Sequence, residues 1–201
     1  MTSALALFDF DGTLTTRDTL LPFLSQVAGP LTCAAGLLAV SPVLAGYALR
    51  LVRNDVAKNQ VLERFLSGME RAEIARHAAT FARDFLPRVL RARMLARVGW
   101  HQAQGHACVV VSASLEAYLV PWAAGNGFAA ALGSRLDLDD SGRATGRLRG
   151  ENCYGGEKVR RVMEWLEGGR PPRVYAYGDS RGDREMIEFA DEGYLLDRRV
   201  K

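Results

Sequence analysis

The chain has 201 residues, enough for one domain or for one domain carrying an insertion, and enough to bury a core without disulfides or structural metals. Hydrophobic residues make up 48% and charged residues 24%, which excludes a disordered chain, a collagen-like repeat and a disulfide mini-protein. The net charge of +3 is too mild to point to nucleic acid, and no interleaving of basic and aromatic residues points there either.

The N-terminal run MTSALALFDFDG lacks a basic n-region and meets acidic residues at once, so it is not read as a secretory signal. Within it, Ala4–Phe10 is a short apolar run ending in the turn DFDGT, the pattern of a buried parallel strand. Residues 16–105 then read as helix after helix, with breaks at Gly29-Pro30, Asn54, Ser67-Gly68 and Pro87. Asn54 is expected to cap a helix over Asp55–Leu66.

Thr19–Leu49 holds no charged residue over 31 positions, and Leu31–Leu49 approaches the length of a bilayer span. Pro42 interrupts it and Arg50 and Arg53 flank only one end, which argues against a full span. Two readings stand. One is a helical hairpin buried within the insertion or on self-association. The other is peripheral contact of residues 19–53 with an anionic lipid surface, which a basic apolar helix suits. Nothing in the pattern specifies an oligomeric state.

The next strand is expected at His106–Val111, ending at Ser112-Ala113-Ser114, and a helix follows over Leu115–Gly125. Gly133–Gly150 alternates around Asp140-Ser141-Gly142 and reads as a small hairpin. A helix over Glu157–Glu167, a strand over Arg173–Tyr177, a helix over Asp183–Ala190 and a strand over Gly193–Leu196 complete the chain. Strands alternating with helices predict an α/β fold with a Rossmann-like, three-layer parallel sheet. The core is expected from residues 1–15 and 106–201, with residues 16–105 as an all-helical cap inserted after the first strand. Residues 20–97 hold 11 basic and 5 acidic side chains, against 15 and 18 elsewhere, so a basic insertion sits on an acidic core.

In such sheets ligands bind at the carboxyl ends of the strands. Asp9, Asp11 and Gly12 follow the first strand, Ser112 the second, and Asp179 and Asp183 the third, while Lys158 opens the helix before that third strand. Four carboxylates at one edge repel one another, and a hard divalent cation such as Mg²⁺ relieves that. A carboxylate beside a metal and a lysine can attack phosphorus. A second carboxylate two residues on can protonate a leaving oxygen and later deprotonate water. Ser112, with backbone N–H groups at a helix N-terminus, suits a phosphate.

Asp9-Phe10-Asp11-Gly12-Thr13-Leu14-Thr15 resembles the first motif of the haloacid dehalogenase superfamily of phosphohydrolases. Val109–Ser114 resembles the second, Lys158 in GGEK the third, and Gly178-Asp179-Ser180-Arg181-Gly182-Asp183 the fourth. The helical insertion is similar to the cap of the phosphoserine-phosphatase-like subfamily IB. The resemblance implies Asp9 as nucleophile and Asp11 as general acid/base. It implies Mg²⁺ held by Asp9, the Asp11 backbone carbonyl and Asp179, with Asp183 nearby. Gly12, Ser112, Ala113 and Lys158 would bind the phosphoryl group of a small phosphorylated substrate. A phosphotransferase or mutase would use the same residues, and a phospholipid head-group phosphate is the candidate substrate if the uncharged stretch touches lipid. Phosphoserine phosphatases usually have Ser where Gly12 stands and a substrate-reading Glu where Asp18 stands. Asp18 therefore reads either as a substrate contact or as a helix N-cap.

Lys58, Arg88, Arg91, Arg93 and Arg97 read as a solvated helix face, with the alternative that some attract an anionic substrate to the mouth of the site. His77, His101 and His106 lack ligand spacing and read as structural. Cys33, Cys108 and Cys153 are odd in number and far apart, as expected of free thiols in the cytoplasm.

Overall fold

A computed structural model describes residues 4–201 except 168 and 197. The first strand, β1 (Leu5–Phe8), is buried at every position. Its alternation sends Ala6 and Phe8 into one apolar layer and Leu5 and Leu7 into the other, so the strand has no solvent face. β2 (Ala107–Leu115) and β6 (Val174–Gly178) flank it in parallel, and Phe8 stands level with Val110 and Tyr177. β3 (Ala130–Ser134) lies outside β2, and β7 (Glu192–Leu195) lies parallel outside β6. β8 (Arg198–Arg199) closes that edge antiparallel, giving the order β3-β2-β1-β6-β7-β8. The mostly parallel, helix-flanked sheet is the α/β fold expected from the sequence.

β3 and β8 go beyond the expected strands. β3 reads AALGS and lacks the β-branched and aromatic residues that mark strands. β2 supplies its pairing, so the signal is tertiary. β2 itself runs on to Leu115, and the helix after it, α6 (Glu116–Gly125), starts there. Ser112 thus lies inside a strand, not at a helix N-terminus as expected.

The insertion supplies α1 (Leu20–Ala28), α2 (Pro30–Ala48), α3 (Asn54–Leu66), α4 (Arg71–Asp84) and α5 (Ala92–Ala103). The four expected breaks all separate helices, Pro87 within a short 3₁₀ turn. α5 falls within the segment expected to form the cap, but it packs on the sheet: Met94 and Val98 join the Phe8 layer, and His101 meets Tyr177 of β6. Asn54 is not the cap of α3. It is the helix's first residue, and its side chain instead bonds the Tyr47 hydroxyl at 3.1 Å and the Asn152 amide at 2.7 Å.

β4 (Leu136–Leu138) and β5 (Ala144–Leu148) form the expected hairpin, its turn held by Asp139, whose carboxylate accepts from Ser141 N and Arg143 N at 2.9 Å. The hairpin packs on α3 and pairs with the following loop through Gly68 N to Ala144 O and Ala144 N to Met69 O, both 2.8 Å. This fixes the cap over the sheet. α7 (Gly156–Trp165) and α8 (Arg184–Phe189) cover the opposite face through Val162, Met186 and Ile187.

The uncharged stretch becomes α1 and α2. α1 buries Phe23 and Leu24, but α2 is not buried within the cap: Leu31, Leu38 and Leu49 are 86%, 74% and 70% exposed. Full burial would stabilise the fold by about 1.5–3 kcal/mol for each of these side chains, and the isolated chain forgoes it.

Candidate active site

The parallel register of β1, β2 and β6 brings three strand ends to one edge. Asp9 follows β1, Ser112 lies near the end of β2, and Asp179 follows β6. Asp9 and Ser112 border a cleft of about 190 Å³ with Asp11, Ala113, Lys158 and Ser180, the residue after Asp179. Asp18 and Asn54 reach this cleft from the cap side.

Lys158 is buried between two carboxylates, 2.6 Å from Asp9 Oδ1 and 2.5 Å from Asp183 Oδ1. Burial works against its charge, but Asp9 and Asp183 outweigh that and hold its pKa above the usual lysine range. Burial pushes Asp9 up to about 6, against the pull of the Lys158 ammonium. Asp183 is fully buried, and its second oxygen accepts from Asp179 N, Ser180 N and Ser180 Oγ at 3.0–3.1 Å. It orients both the Asp179 loop and Lys158. Gly178 lets it in, since a Cβ there would overlap the Asp183 side chain.

Asp9, Asp179 and Asp183 each bring a carboxylate oxygen within 4.8 Å of the others. Burial and the neighbouring Asp183 also raise the Asp179 pKa. Three carboxylates face a single ammonium, and Asp179 is open to solvent. This hard, electron-rich donor set fits a divalent cation.

Asp11 points elsewhere. Thr19 Oγ1 donates to its Oδ1 at 2.7 Å, and Ser114 Oγ donates to its Oδ2. The Tyr118 hydroxyl lies 3.1 Å from Thr19 Oγ1 behind them. Burial pushes the Asp11 pKa to about 7, with the Asp18 charge adding to the rise. A carboxyl group near neutrality is suited to both giving and taking a proton.

Gly12 has φ +80°, and a Cβ there would overlap Asp179 Oδ2. Its N–H faces Thr15 Oγ1 at 3.3 Å and its carbonyl accepts from Arg91 Nε at 3.1 Å. Gly12 thus has a spatial role at the site: it makes room for Asp179. Asp18 stands one residue ahead of the N-cap Thr19 and accepts from Leu20 N at 3.0 Å, so it ties down the start of α1 while bordering the cleft.

Lys58 is no part of a solvated face. It donates to Asn152 Oδ1 at 2.9 Å and to the carbonyl of Ala113, and burial lowers its pKa to about 8. It walls a second chamber of about 290 Å³ that adjoins the cleft at Asp11, Asp18 and Ala113, with Leu20, Leu44 and Tyr47 opposite. Of the two readings of this group of cations, the position of Lys58 fits the one at the site, and one signal sets it apart: only 3 of the 26 basic residues are lysines, and Lys58 and Lys158 are two of them. A compact ammonium is wanted where an Arg fork does not fit. Thr19, Ser114, Asn152 and Tyr154 also border the site without a local sequence signal. Arg91 braces the loop after β1, whereas Arg88, Arg93 and Arg97 lie at the surface. His101 and His106 do have partners, each other at 2.9 Å and Tyr177, but they lie away from the cleft.

The family model described as haloacid dehalogenase-like hydrolase matches residues 6–188. Protein CicA of Caulobacter vibrioides is 39% identical over 195 residues, covering 96% of this chain and 86% of that protein. A solved structure of a Bordetella pertussis protein of unknown function is 26% identical, with a TM-score of 0.83 over 96% of this chain and 89% of the other. A substrate-bound phosphoserine phosphatase shares the fold, with a TM-score of 0.64 at 19% identity over 96% of this chain and 85% of the other.

Proposed function

The chain belongs to the haloacid dehalogenase-like hydrolase family, and we propose that it is a phosphatase that hydrolyses a phosphomonoester through an aspartyl-phosphate on Asp9. The observation that carries this reading is the division of labour in the cleft: Asp9 on Lys158, and Asp11, oriented by Thr19 and Ser114, raised to near neutrality by burial and the Asp18 charge.

In the first step an Asp9 oxygen forms a bond to phosphorus as the bond to the leaving oxygen breaks. Asp11, carrying a proton, gives it to that oxygen and releases the alcohol. In the second step Asp11, now ionised, takes a proton from water. The water oxygen bonds to phosphorus, the Asp9–phosphorus bond breaks, and inorganic phosphate leaves. Lys158 and Ser112 face the phosphoryl oxygens and stabilise their charge. Asp9, Asp179 and Asp183, with the Asp11 carbonyl, would hold Mg²⁺, which when bound supplies positive charge to the phosphoryl group. The three buried free thiols agree with a cytoplasmic setting.

The substrate is read as a small phosphorylated metabolite. The chamber beyond Asp11 favours a second reading. Its wall of Leu20, Leu21, Leu44 and Tyr47 beside the Lys58 ammonium suits an ester whose alcohol is amphiphilic, a phospholipid head-group phosphate among them.

The test is acid-quenched reaction with a radiolabelled phosphomonoester. Wild type is expected to retain hydroxylamine-sensitive label, and Asp9→Asn to retain none and to lose turnover of p-nitrophenyl phosphate. Turnover by Asp9→Asn at the wild-type rate would sink the mechanism. A substrate panel including phosphoserine and head-group phosphates then chooses between the two readings.

A further inference from the structure

α2 is the largest feature that the catalytic reading leaves unused. Leu31, Leu38, Pro42, Ala45 and Leu49 are all exposed and share one stripe along the helix. Cys33, Gly36 and Val40 lie on the other side, where Gly36 admits the Phe65 ring of α3. No charge interrupts positions 19–49. By length and composition α2 could cross a membrane. Its inner side is committed to α3, however, so its apolar side can only lie along a surface.

The backbone suits an apolar surround. Pro42 has no N–H to give the Leu38 carbonyl, and the Ser41 hydroxyl donates there at 2.8 Å instead. The carbonyl that the proline orphans is thus satisfied inside the helix, as a lipid environment demands.

Charge identifies the partner. Arg50 and Arg53 are exposed at the end of the stripe, and no carboxylate lies between Asp18 and Asp55. Arg53 is also paired with Asp55 at 2.9 Å. Residues 20–97 as a whole are basic. The stripe itself holds Leu, Ala and Pro, and none of the Trp or Arg anchors that dominate protein–protein contacts. The same helix turns Leu44 and Tyr47 into the chamber beside Asp11, so what covers α2 lies next to the entrance of the site.

We propose that α2 docks flat on an anionic lipid bilayer, its apolar stripe in the acyl boundary and Arg50 and Arg53 among the head groups. Docking needs no turnover, so it stands or falls separately from the phosphatase reading.

The test is cosedimentation of the full chain with vesicles of phosphatidylcholine mixed with phosphatidylglycerol, and of phosphatidylcholine alone. The chain is expected to pellet with the mixed vesicles and much less with the neutral ones. Leu31→Glu combined with Leu38→Glu is expected to weaken binding about tenfold or more. That variant is expected to keep the wild-type turnover of p-nitrophenyl phosphate, which reports that it folds. Arg50→Glu with Arg53→Glu is expected to remove the preference for phosphatidylglycerol. A wild-type chain that stays in the supernatant with both vesicles overturns the proposal, as does undiminished binding by the leucine variant. A wild-type dimer that the leucine variant makes monomeric, with no vesicle binding, would assign the face to a second copy and overturn it equally.

Discussion

Gly12 and Asp179 share one volume: the side of Gly12 where a Cβ would stand is filled by Asp179 Oδ2. Two motifs far apart in the chain are therefore interlocked, and the smallest residue of one positions the carboxylate of the other. Gly12 also sits at φ +80°, where a side chain costs about 1–2 kcal/mol before any overlap is counted. Gly12→Ala is expected to displace Asp179 and lower kcat/KM for p-nitrophenyl phosphate by about 100-fold or more. Its melting temperature is expected to fall only modestly. Wild-type activity in this variant would mean that Asp179 need not stay where it is.

Mg²⁺ is expected to stabilise the protein as well as activate it, because it would relieve repulsion among Asp9, Asp179 and Asp183. At a concentration 100 times its dissociation constant the gain is about 2.7 kcal/mol. Thermal melts with and without Mg²⁺, and with EDTA, measure this. Full activity in EDTA and identical melts would remove the metal from the scheme.

Lys58 ties α3 to the core through Ala113 and Asn152 while walling the chamber. Lys58→Met is expected to cost about 1.5–3 kcal/mol of stability, the scale of hydrogen bonds from a charged donor. It is expected to raise KM for anionic alcohol phosphates more than it lowers kcat, since Lys58 borders the alcohol side of the site and not the phosphorus. Steady-state kinetics separate the two parameters, and an effect confined to kcat would contradict this placement.

His101 gives a pH dependence of stability away from the site. It is buried between His106 and Tyr177, and burial, then His106 and Arg97, lower its pKa to about 4. The unfolded chain takes up this proton near the ordinary value of 6.5, while the native protein refuses it. The stabilisation is therefore complete above about pH 6.5 and is lost as pH falls toward about 4. His101→Gln is expected to melt lower than wild type at about pH 7.5 but to lose less on acidification to about pH 5. Parallel slopes for the two proteins would show that another group governs this range.

Local pattern alone determined much of the molecule. The strands carrying Asp9, Ser112 and Asp179 are short apolar runs closed by polar turns, and both the run and the turn are properties of neighbouring residues. The order of strands and helices, the hairpin at Asp140-Ser141-Gly142 and the placement of Lys158 ahead of the third strand follow in the same way.

Three things were decided only by the tertiary structure. α5 looks like one more cap helix, because helical periodicity says that a face is buried but not against what. Lys58 and Ser114 enter the site through partners 55 and 103 positions away, a separation that no local pattern encodes. α2 has no charged residue to mark a wet side, so its sequence cannot say which face is covered; packing against α3 chooses the inner one and leaves the leucines outside. In each case the deciding interaction joins segments distant in the chain, and it exists only once the sheet edge and the cap are brought together.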